Sequence, residues 1–99
     1  MRTLVHKSTH AATDEITALT LDVQEASQCT IRCVDDRGGT LRTYYIFDDG
    51  TAELDTSDTA SAGDLLTVAF GYKVGHIEIR FVPADGTSGV LRLEATTAK

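Results

Sequence analysis

Residues 64–83, DLLTVAFGYKVGHIEIRFVP, carry two runs of alternating apolar and polar side chains on either side of a glycine-bounded turn. The apolar positions recur at every second residue, which is the period of a β-strand with one buried face. These positions are Leu66, Val68, Phe70, Ile77, Ile79 and Phe81. We therefore predict that this stretch forms an antiparallel hairpin with one face in the core and one face in water.

Further runs of the same kind predict strands along the rest of the chain. These runs cover residues 2–6, 15–24, 28–34, 40–47, 51–55 and 90–95. Turn residues separate them, including the Asp48-Asp49-Gly50 hairpin signal, and no window has helical periodicity. We expect an all-β fold, an antiparallel β-sandwich of seven to eight short strands, immunoglobulin-like or jelly-roll. The sequence lacks tryptophan, a core marker of immunoglobulin domains, and the choice between the two topologies stays open.

The 99 residues are expected to form one sandwich domain over residues 1–99. Residues 7–14 are small and polar, so we predict a loop there and treat residues 1–14 as an extended N-terminal arm. Residues 56–63 are predicted to form a loop or a weakly paired edge strand. Residues 96–99 are predicted to fray, as chain ends commonly do.

The charge distribution limits the classes of partner. The chain has a formal net charge of −6 and a pI near 4.8, which argues against a nucleic-acid partner because phosphate binding needs clustered cations. No basic residue lies between Arg42 and Lys73, a segment that contains six acidic residues. The first ten residues include Arg2 and Lys7 and are basic instead. A head-to-tail contact between copies is therefore electrostatically reasonable.

Hydropathy argues against a membrane partner. No stretch approaches the roughly 20 consecutive apolar residues of a spanning helix. Met1 is followed by polar sequence and not by the apolar core of a signal peptide. We expect synthesis in the cytoplasm without a signal peptide, followed by incorporation into a virion.

The two cysteines are predicted to be structural. Cys29 and Cys33 share a strand face with Ile31, and on an extended strand their Cα atoms lie about 13 Å apart. A disulfide requires Cα atoms within about 7 Å, so we interpret both residues as small buried apolar groups. A zinc site would need closer spacing and further ligands, and we expect no cofactor.

One strand breaks the rule of one apolar face. Residues 40–47 carry large apolar groups on both faces, and such a strand is either covered twice or exposes a contact surface. The turn at residues 71–75 also presents an aromatic side chain at its tip. Together these two segments supply the predicted partner-contact residues. These residues are Arg42, Tyr44, Ile46, Tyr72, Lys73 and Val74.

The acidic turns raise the question of a metal site. Calcium is held by several carboxylates and carbonyls from loops, which makes Asp48, Asp49 and Asp85 secondary calcium candidates. Aspartate in such positions is also what ordinary turns require. The sequence has no GxSxG nucleophile motif, so we predict no catalytic residue and no enzymatic activity.

These observations lead to a hypothesis of assembly. We expect a non-enzymatic structural subunit that acts through protein–protein contacts, as a homo-oligomer or within a larger assembly. Small virion proteins, such as bacteriophage capsid-decorating or tail-associated subunits, combine these properties, although this is an analogy of class and not a motif match. The alternative is a carbohydrate- or calcium-binding β-sandwich module that uses its loops.

Overall fold

The chain folds into two antiparallel sheets that pack face to face. The computed structural model describes residues 2–11, 14–22, 27–71 and 75–98. The strands are β1 (Arg2–His10), β2 (Ile16–Asp22), β3 (Gln28–Asp35), β4 (Gly39–Ile46), β5 (Ala52–Ala60), β6 (Leu66–Phe70), β7 (His76–Pro83) and β8 (Gly89–Ala98). Sheet A has the strand order β1-β8-β3-β6, and sheet B has the order β2-β7-β4-β5. The predicted all-β sandwich is confirmed.

The pairing scheme identifies the topology. β1 pairs with β8, β2 with β7, β3 with β6 and β4 with β5, all antiparallel. This is the result of rolling up one long hairpin of four strand pairs, which is the jelly-roll arrangement. In an immunoglobulin domain the first two strands are neighbours in one sheet, whereas here β1 and β2 lie in opposite sheets. The jelly-roll alternative is therefore correct, and the immunoglobulin-like one is not.

The predicted hairpin over residues 64–83 is wrong, although both of its strands exist. β6 pairs with β3 in sheet A, while β7 lies between β2 and β4 in sheet B. The connection between β6 and β7 thus crosses from one sheet to the other. Alternation reports which face of a strand is buried, but it does not report the strand's hydrogen-bonding partner.

The hairpin predicted at Asp48-Asp49-Gly50 is confirmed. It joins β4 to β5, and the Phe47 amide donates a 2.8 Å hydrogen bond to the Thr51 carbonyl. Gly50 adopts a φ of 89°, a left-handed conformation that side chains with a Cβ rarely take. This turn residue accounts for the tight reversal of the chain.

Two predicted element ends need correction because their strands are longer. β1 pairs with β8 from Arg2 to His10, so residues 7–10 belong to the sheet and not to a loop or an N-terminal arm. Correspondingly, β8 continues to Ala98 instead of fraying from residue 96. β5 continues to Ala60 as an edge strand of sheet B, which is the second of the two readings predicted for this segment. For β1 and β8, pairing with the opposite end of the chain extends the strands beyond what the composition of each segment indicates.

The core lies between the two sheets, and its buried apolar side chains come from the inward positions of five strands, β2, β3, β4, β7 and β8. Its largest fully buried apolar side chains are Phe81, Ile31, Leu41, Ile77, Ile79, Leu91 and Leu93. Cys29 and Cys33 are buried, reduced and on the same face as Ile31, as predicted. Burial raises the pKa of the Cys29 thiol to about 11, and burial with the nearby Asp35 carboxylate raises that of Cys33 to about 12. Both thiols are therefore unreactive at neutral pH.

A buried ion pair fastens one end of the sandwich. The Arg37 guanidinium binds Asp35 in a bidentate manner, with Nε to Oδ1 at 3.0 Å and Nη2 to Oδ2 at 2.9 Å. Arg37 Nη1 also donates to the carbonyl oxygens of His10 and Thr87, at 2.8 and 3.2 Å. The pair thus links the end of β1, the β3–β4 turn and the β7–β8 loop. A Cβ on Gly89 would lie 2.8 Å from Arg37 Nε, so the close approach requires glycine there.

None of the described segments contains a helix with the length and hydropathy needed to cross a membrane.

Candidate functional site

The outward side of sheet A gathers cations and exposed apolar groups, and we call it the basic face. Inward positions of β8 and β3 hold the core, so the alternate positions on these strands and on β1 point to solvent. Leu65, just before β6, lies on the same side and borders a shallow concavity there. The basic face consists of Val5, Lys7, Arg32, Val34, Leu65, Arg92 and Glu94.

Strand register places like charges opposite each other on the basic face. Lys7 on β1 is the direct cross-strand partner of Arg92 on β8. Arg32 is the partner of Glu94, the one acidic member of the face. Lys7, Arg32 and Arg92 form no ion pair with any residue in the described part of the chain. Opposed like charges destabilise a sheet, and among the described residues only Glu94 offsets the positive charge of this surface.

Apolar side chains lie among these cations. Val5 is 69% exposed and Leu65 is 61% exposed. Between them, across the width of sheet A, lies the concavity of about 270 Å³, lined also by Val34 and by the stems of Arg32 and Arg92. A surface of this kind suits a partner that offers an apolar side chain flanked by carboxylates, because burial and charge pairing then act together.

The outward side of sheet B has the opposite character, because its cations are paired within the chain. Glu15 accepts hydrogen bonds from Arg80 Nη1 at 3.0 Å, from the Tyr44 hydroxyl at 3.0 Å and from Arg42 Nη1 at 3.3 Å. Arg80 Nε also donates to Glu78 at 2.6 Å, and the Arg80 guanidinium lies 4.0 Å from the centre of the Tyr44 ring. These contacts form one connected network, which we call the Glu15 network.

The Glu15 network changes the protonation of its central carboxyl. Partial burial alone would raise the pKa of Glu15, but the hydrogen bonds from Arg80, Tyr44 and Arg42 outweigh it and the pKa is lowered. The carboxylate therefore stays ionised, and the cations around it are compensated internally.

The predicted partner-contact residues fall into two groups. Arg42 and Tyr44 belong to the Glu15 network, and Ile46 is half-buried at the end of β4. Their outward position agrees with the predicted alternation of this strand, but the first two already have partners within the chain. The other three candidates, Tyr72, Lys73 and Val74, lie outside the described residues.

Sequence reasoning missed the basic face. Val5, Arg32 and Arg92 occupy outward positions of alternating strands, where exposed side chains are ordinary and do not by themselves indicate a site. The sequence does contain a signal for this surface, because apolar and basic side chains share the outward positions of these strands while the chain as a whole is acidic. The opposition of Lys7 and Arg92 could not be found this way, since it depends on a register between the two ends of the chain.

The secondary calcium candidates are not brought together. Asp48 and Asp49 lie in the β4–β5 turn, whereas Asp85 lies in the β7–β8 loop beside the start of β4. Asp49 Oδ1 accepts hydrogen bonds from the amide and the hydroxyl of Thr51, at 2.9 and 2.7 Å, and its pKa is lowered by them. Asp85 is engaged with Thr87 in the same manner. Among the described residues, no group of three potential metal ligands is assembled.

A row of polar side chains lies on the inward side of β1. Ser8 Oγ is within 2.7 Å of His6 Nε2 and 2.5 Å of His10 Nε2. Burial, with a smaller contribution from His10, lowers the pKa of His6 and favours its neutral form. Sequence reasoning missed this row because residues 7–10 were predicted to be a loop, although the spacing His6-x-Ser8-x-His10 places all three residues on one face of a strand.

Comparisons with known proteins identify relatives of the fold. No protein-family model matches the chain, and no curated protein matches it. Among solved structures, the chain is similar to the PBSX exported protein XepA, with a TM-score of 0.81 and 16% identity over 98% of this chain. It spans 37% of the XepA chain. The chain is also similar to the SPBc2 prophage-derived protein YomS, with a TM-score of 0.56 and 12% identity over 97% of this chain and 96% of YomS. At these identities the likeness concerns the fold alone.

Proposed function

We propose that the chain is a non-enzymatic structural module of a phage or prophage-encoded particle, and that the basic face is the surface through which it binds another protein. The observation that carries the proposal is the coincidence of exposed Val5 and Leu65 with three cations that have no ion-pair partner among the described residues. Interfaces are built from apolar anchors with arginine, and an uncompensated positive surface is stabilised by an acidic partner.

The structural neighbours support the biological context. They are an exported PBSX protein and a prophage-derived protein, and this chain is similar in fold to both. A capsid-decorating or tail-associated position is the more specific form of the proposal. Such positions require a rigid, soluble domain with one adhesive face, which matches the contrast between the basic face and the internally paired face of sheet B.

A protein partner is favoured over a polyanion. The basic face carries three cations and one carboxylate, whereas the whole chain has a net charge of −6. A nucleic acid would be repelled by most of the surface and would gain few phosphate contacts. An acidic protein surface of limited size can contact the basic face without approaching the rest of the molecule.

The alternative of a carbohydrate- or calcium-binding module has less support. Asp49 and Asp85 use carboxylate oxygens to stabilise their own turns. Tyr44, the one aromatic ring in the Glu15 network, is stacked beneath Arg80 and is not free to form a platform for a sugar.

The proposal is tested by incorporation of the chain into particles. Particles are induced in the strain that carries the gene and purified on a density gradient, and the chain is quantified in them by mass spectrometry. We expect the chain in the particle fraction, and we expect at least a tenfold loss when Val5→Asp and Leu65→Asp are combined. A Thr59→Asp variant is the control, because it adds an exposed charge to β5 on sheet B. Absence of the wild-type chain from particles, or equal loss in the control, would contradict the proposal.

A further inference from the structure

The exposed large apolar side chains of the described residues are divided between two oppositely charged surfaces. Val5 and Leu65 belong to the basic face. The other two, Leu54 at 54% exposure and Phe47 at 47%, flank the β4–β5 turn. We call residues 47–55 the acidic hairpin. This division is not required by the fold, because none of these four side chains belongs to the core.

The acidic hairpin is negatively charged and so complements the positive charge of the basic face. It contains Asp48, Asp49, Glu53 and Asp55, and the sequence has no basic residue between Arg42 and Lys73. Leu54 pairs with Tyr44 and points to the outward side of sheet B, while Phe47 packs edge-on against Tyr45 at a ring distance of 5.0 Å. Leu54 is therefore the apolar side chain that is available for a contact outside the chain.

We propose that the basic face of one copy binds the acidic hairpin of a second copy of this chain. The inference rests on the proposed function in taking the basic face as the contact surface, and it identifies the partner. Leu54 of the second copy enters the concavity of about 270 Å³ between Val5 and Leu65. Its carboxylates approach Lys7, Arg32 and Arg92, so burial of apolar surface and charge pairing coincide.

The two surfaces differ, which determines the symmetry of the assembly. The basic face lies on the outside of sheet A, and the acidic hairpin ends the β4–β5 pair at the edge of sheet B. One copy therefore uses its hairpin on one neighbour and its basic face on another. Such a heterologous contact generates rings or open chains of subunits, in contrast to a closed two-fold dimer.

The expected contact is weak in free solution. Sheet A has four strands, about 19 Å across at roughly 4.8 Å per strand, and only one hairpin covers it. Interfaces of this small size associate transiently, and exposed charge pairs are screened by salt. We expect association that increases with protein concentration and decreases between about 0.01 and 0.5 M salt.

Sedimentation velocity with two complementary variants tests the proposal. The face variant combines Val5→Asp with Leu65→Asp and keeps the hairpin. The hairpin variant carries Leu54→Asp and keeps the face. Wild type is expected to form species larger than a dimer, and each variant alone is expected to be monomeric. An equimolar mixture of the two variants is expected to form a heterodimer and nothing larger, because one intact contact remains.

Charge exchange provides a second test that does not depend on apolar packing. Arg92→Glu is expected to abolish self-association, and so is Glu53→Lys. Mixing copies with Arg92→Glu and copies with Glu53→Lys is expected to restore at least part of it, because the unchanged hairpin of the first can bind the unchanged face of the second and the two altered surfaces also carry opposite charges. If the Leu54→Asp variant does not fold, the double substitution Asp48→Asn and Glu53→Gln is used instead. It removes two charges from the acidic hairpin and alters only exposed side chains. Circular dichroism and the thermal midpoint verify folding in every variant.

Three results would overturn the inference. Wild type that stays monomeric at all concentrations and low salt excludes it. Self-association lost in the face variant but unchanged in the hairpin variant indicates a symmetric face-to-face dimer instead. A mixture that fails to give the heterodimer also excludes it. If wild type is monomeric while particle incorporation still depends on Val5 and Leu65, the proposed function stands and the partner is a different protein.

Discussion

The two outward sides of the sandwich differ in whether their arginines find partners within the chain. On sheet B, Arg42 and Arg80 bind Glu15, and Arg80 also stacks on Tyr44. On sheet A, Arg92 lies opposite Lys7, and neither forms an ion pair with a described residue. The residue type and its position on an alternating strand are the same on both sides. On both sides two cations are direct cross-strand partners, Arg42 with Arg80 on sheet B and Lys7 with Arg92 on sheet A. What differs is the Glu15 carboxylate just before β2, which binds both cations of sheet B.

Substitutions of charged residues are therefore expected to have different effects on the two sides of the sandwich. Removing one partner of an ion pair within the chain destabilises the fold, and the loss grows with burial because the remaining charge is left without a counter-charge. Charges without an ion-pair partner among the described residues are expected to contribute nothing to folding, or to oppose it where like charges face each other. Substitutions of paired and unpaired arginines should therefore separate stability from association.

The largest expected loss of folding stability is at Arg37, whose ion pair with Asp35 is almost fully buried. Arg37→Ala leaves the Asp35 carboxylate buried without a counter-charge, which costs about 3–5 kcal/mol. The carbonyls of His10 and Thr87 also lose their donor. Urea unfolding measures the loss. Arg92→Ala is the matched control on the basic face and should stay within about 0.5 kcal/mol of wild type. Similar losses in the two variants would contradict the distinction between paired and unpaired arginines.

An intermediate effect is expected at Glu15. Glu15→Gln removes the charge that Arg42 and Arg80 share, and we expect a loss of about 1 kcal/mol, because the network is partly exposed and screened. The matched control is Glu94→Gln on the basic face, which forms no ion pair with a described residue and lies opposite Arg32, so we expect a smaller loss of about 0.2–0.5 kcal/mol. Thermal unfolding at pH 7 compares the two variants.

The same carboxyl predicts the direction of a pH effect. The pKa of Glu15 is lowered in the folded chain, so the folded state releases this proton more readily than the unfolded state. Its contribution is fully present above the unfolded pKa of 4.5 and is lost as the pH falls through the folded pKa. Unfolding measured from pH 6 down to pH 3 should show that Glu15→Gln reduces this loss of stability. An unchanged pH dependence would mean that the network does not hold Glu15 ionised.

The sequence predicted the buried face of each strand and the turns better than it predicted which strands pair with each other. The alternation of Ile77, Ile79 and Phe81 identified buried positions correctly, and Asp48-Asp49-Gly50 identified a true hairpin. The same alternation did not reveal that β6 and β7 lie in different sheets, because side-chain periodicity is independent of the pairing partner. The basic face depends on the pairing of β1 with β8, the two ends of the chain, and no local pattern contains that information.

The smallest expected change in folding stability is at Arg92, and its sign distinguishes the two sides of the sandwich. Arg92→Gln removes one of the two opposed cations on the basic face, so we expect it to stabilise the fold by about 0.2–0.5 kcal/mol. Arg80→Gln makes the identical chemical change on sheet B and should destabilise it, because Arg80 binds Glu15 and Glu78. The gain in Arg92→Gln should decrease as salt is added, since it comes from relieved repulsion between exposed charges. Urea unfolding at about 0.01 and 0.5 M salt measures both signs. A destabilising Arg92→Gln would mean that the chain itself, and not a partner, accounts for the cations of the basic face.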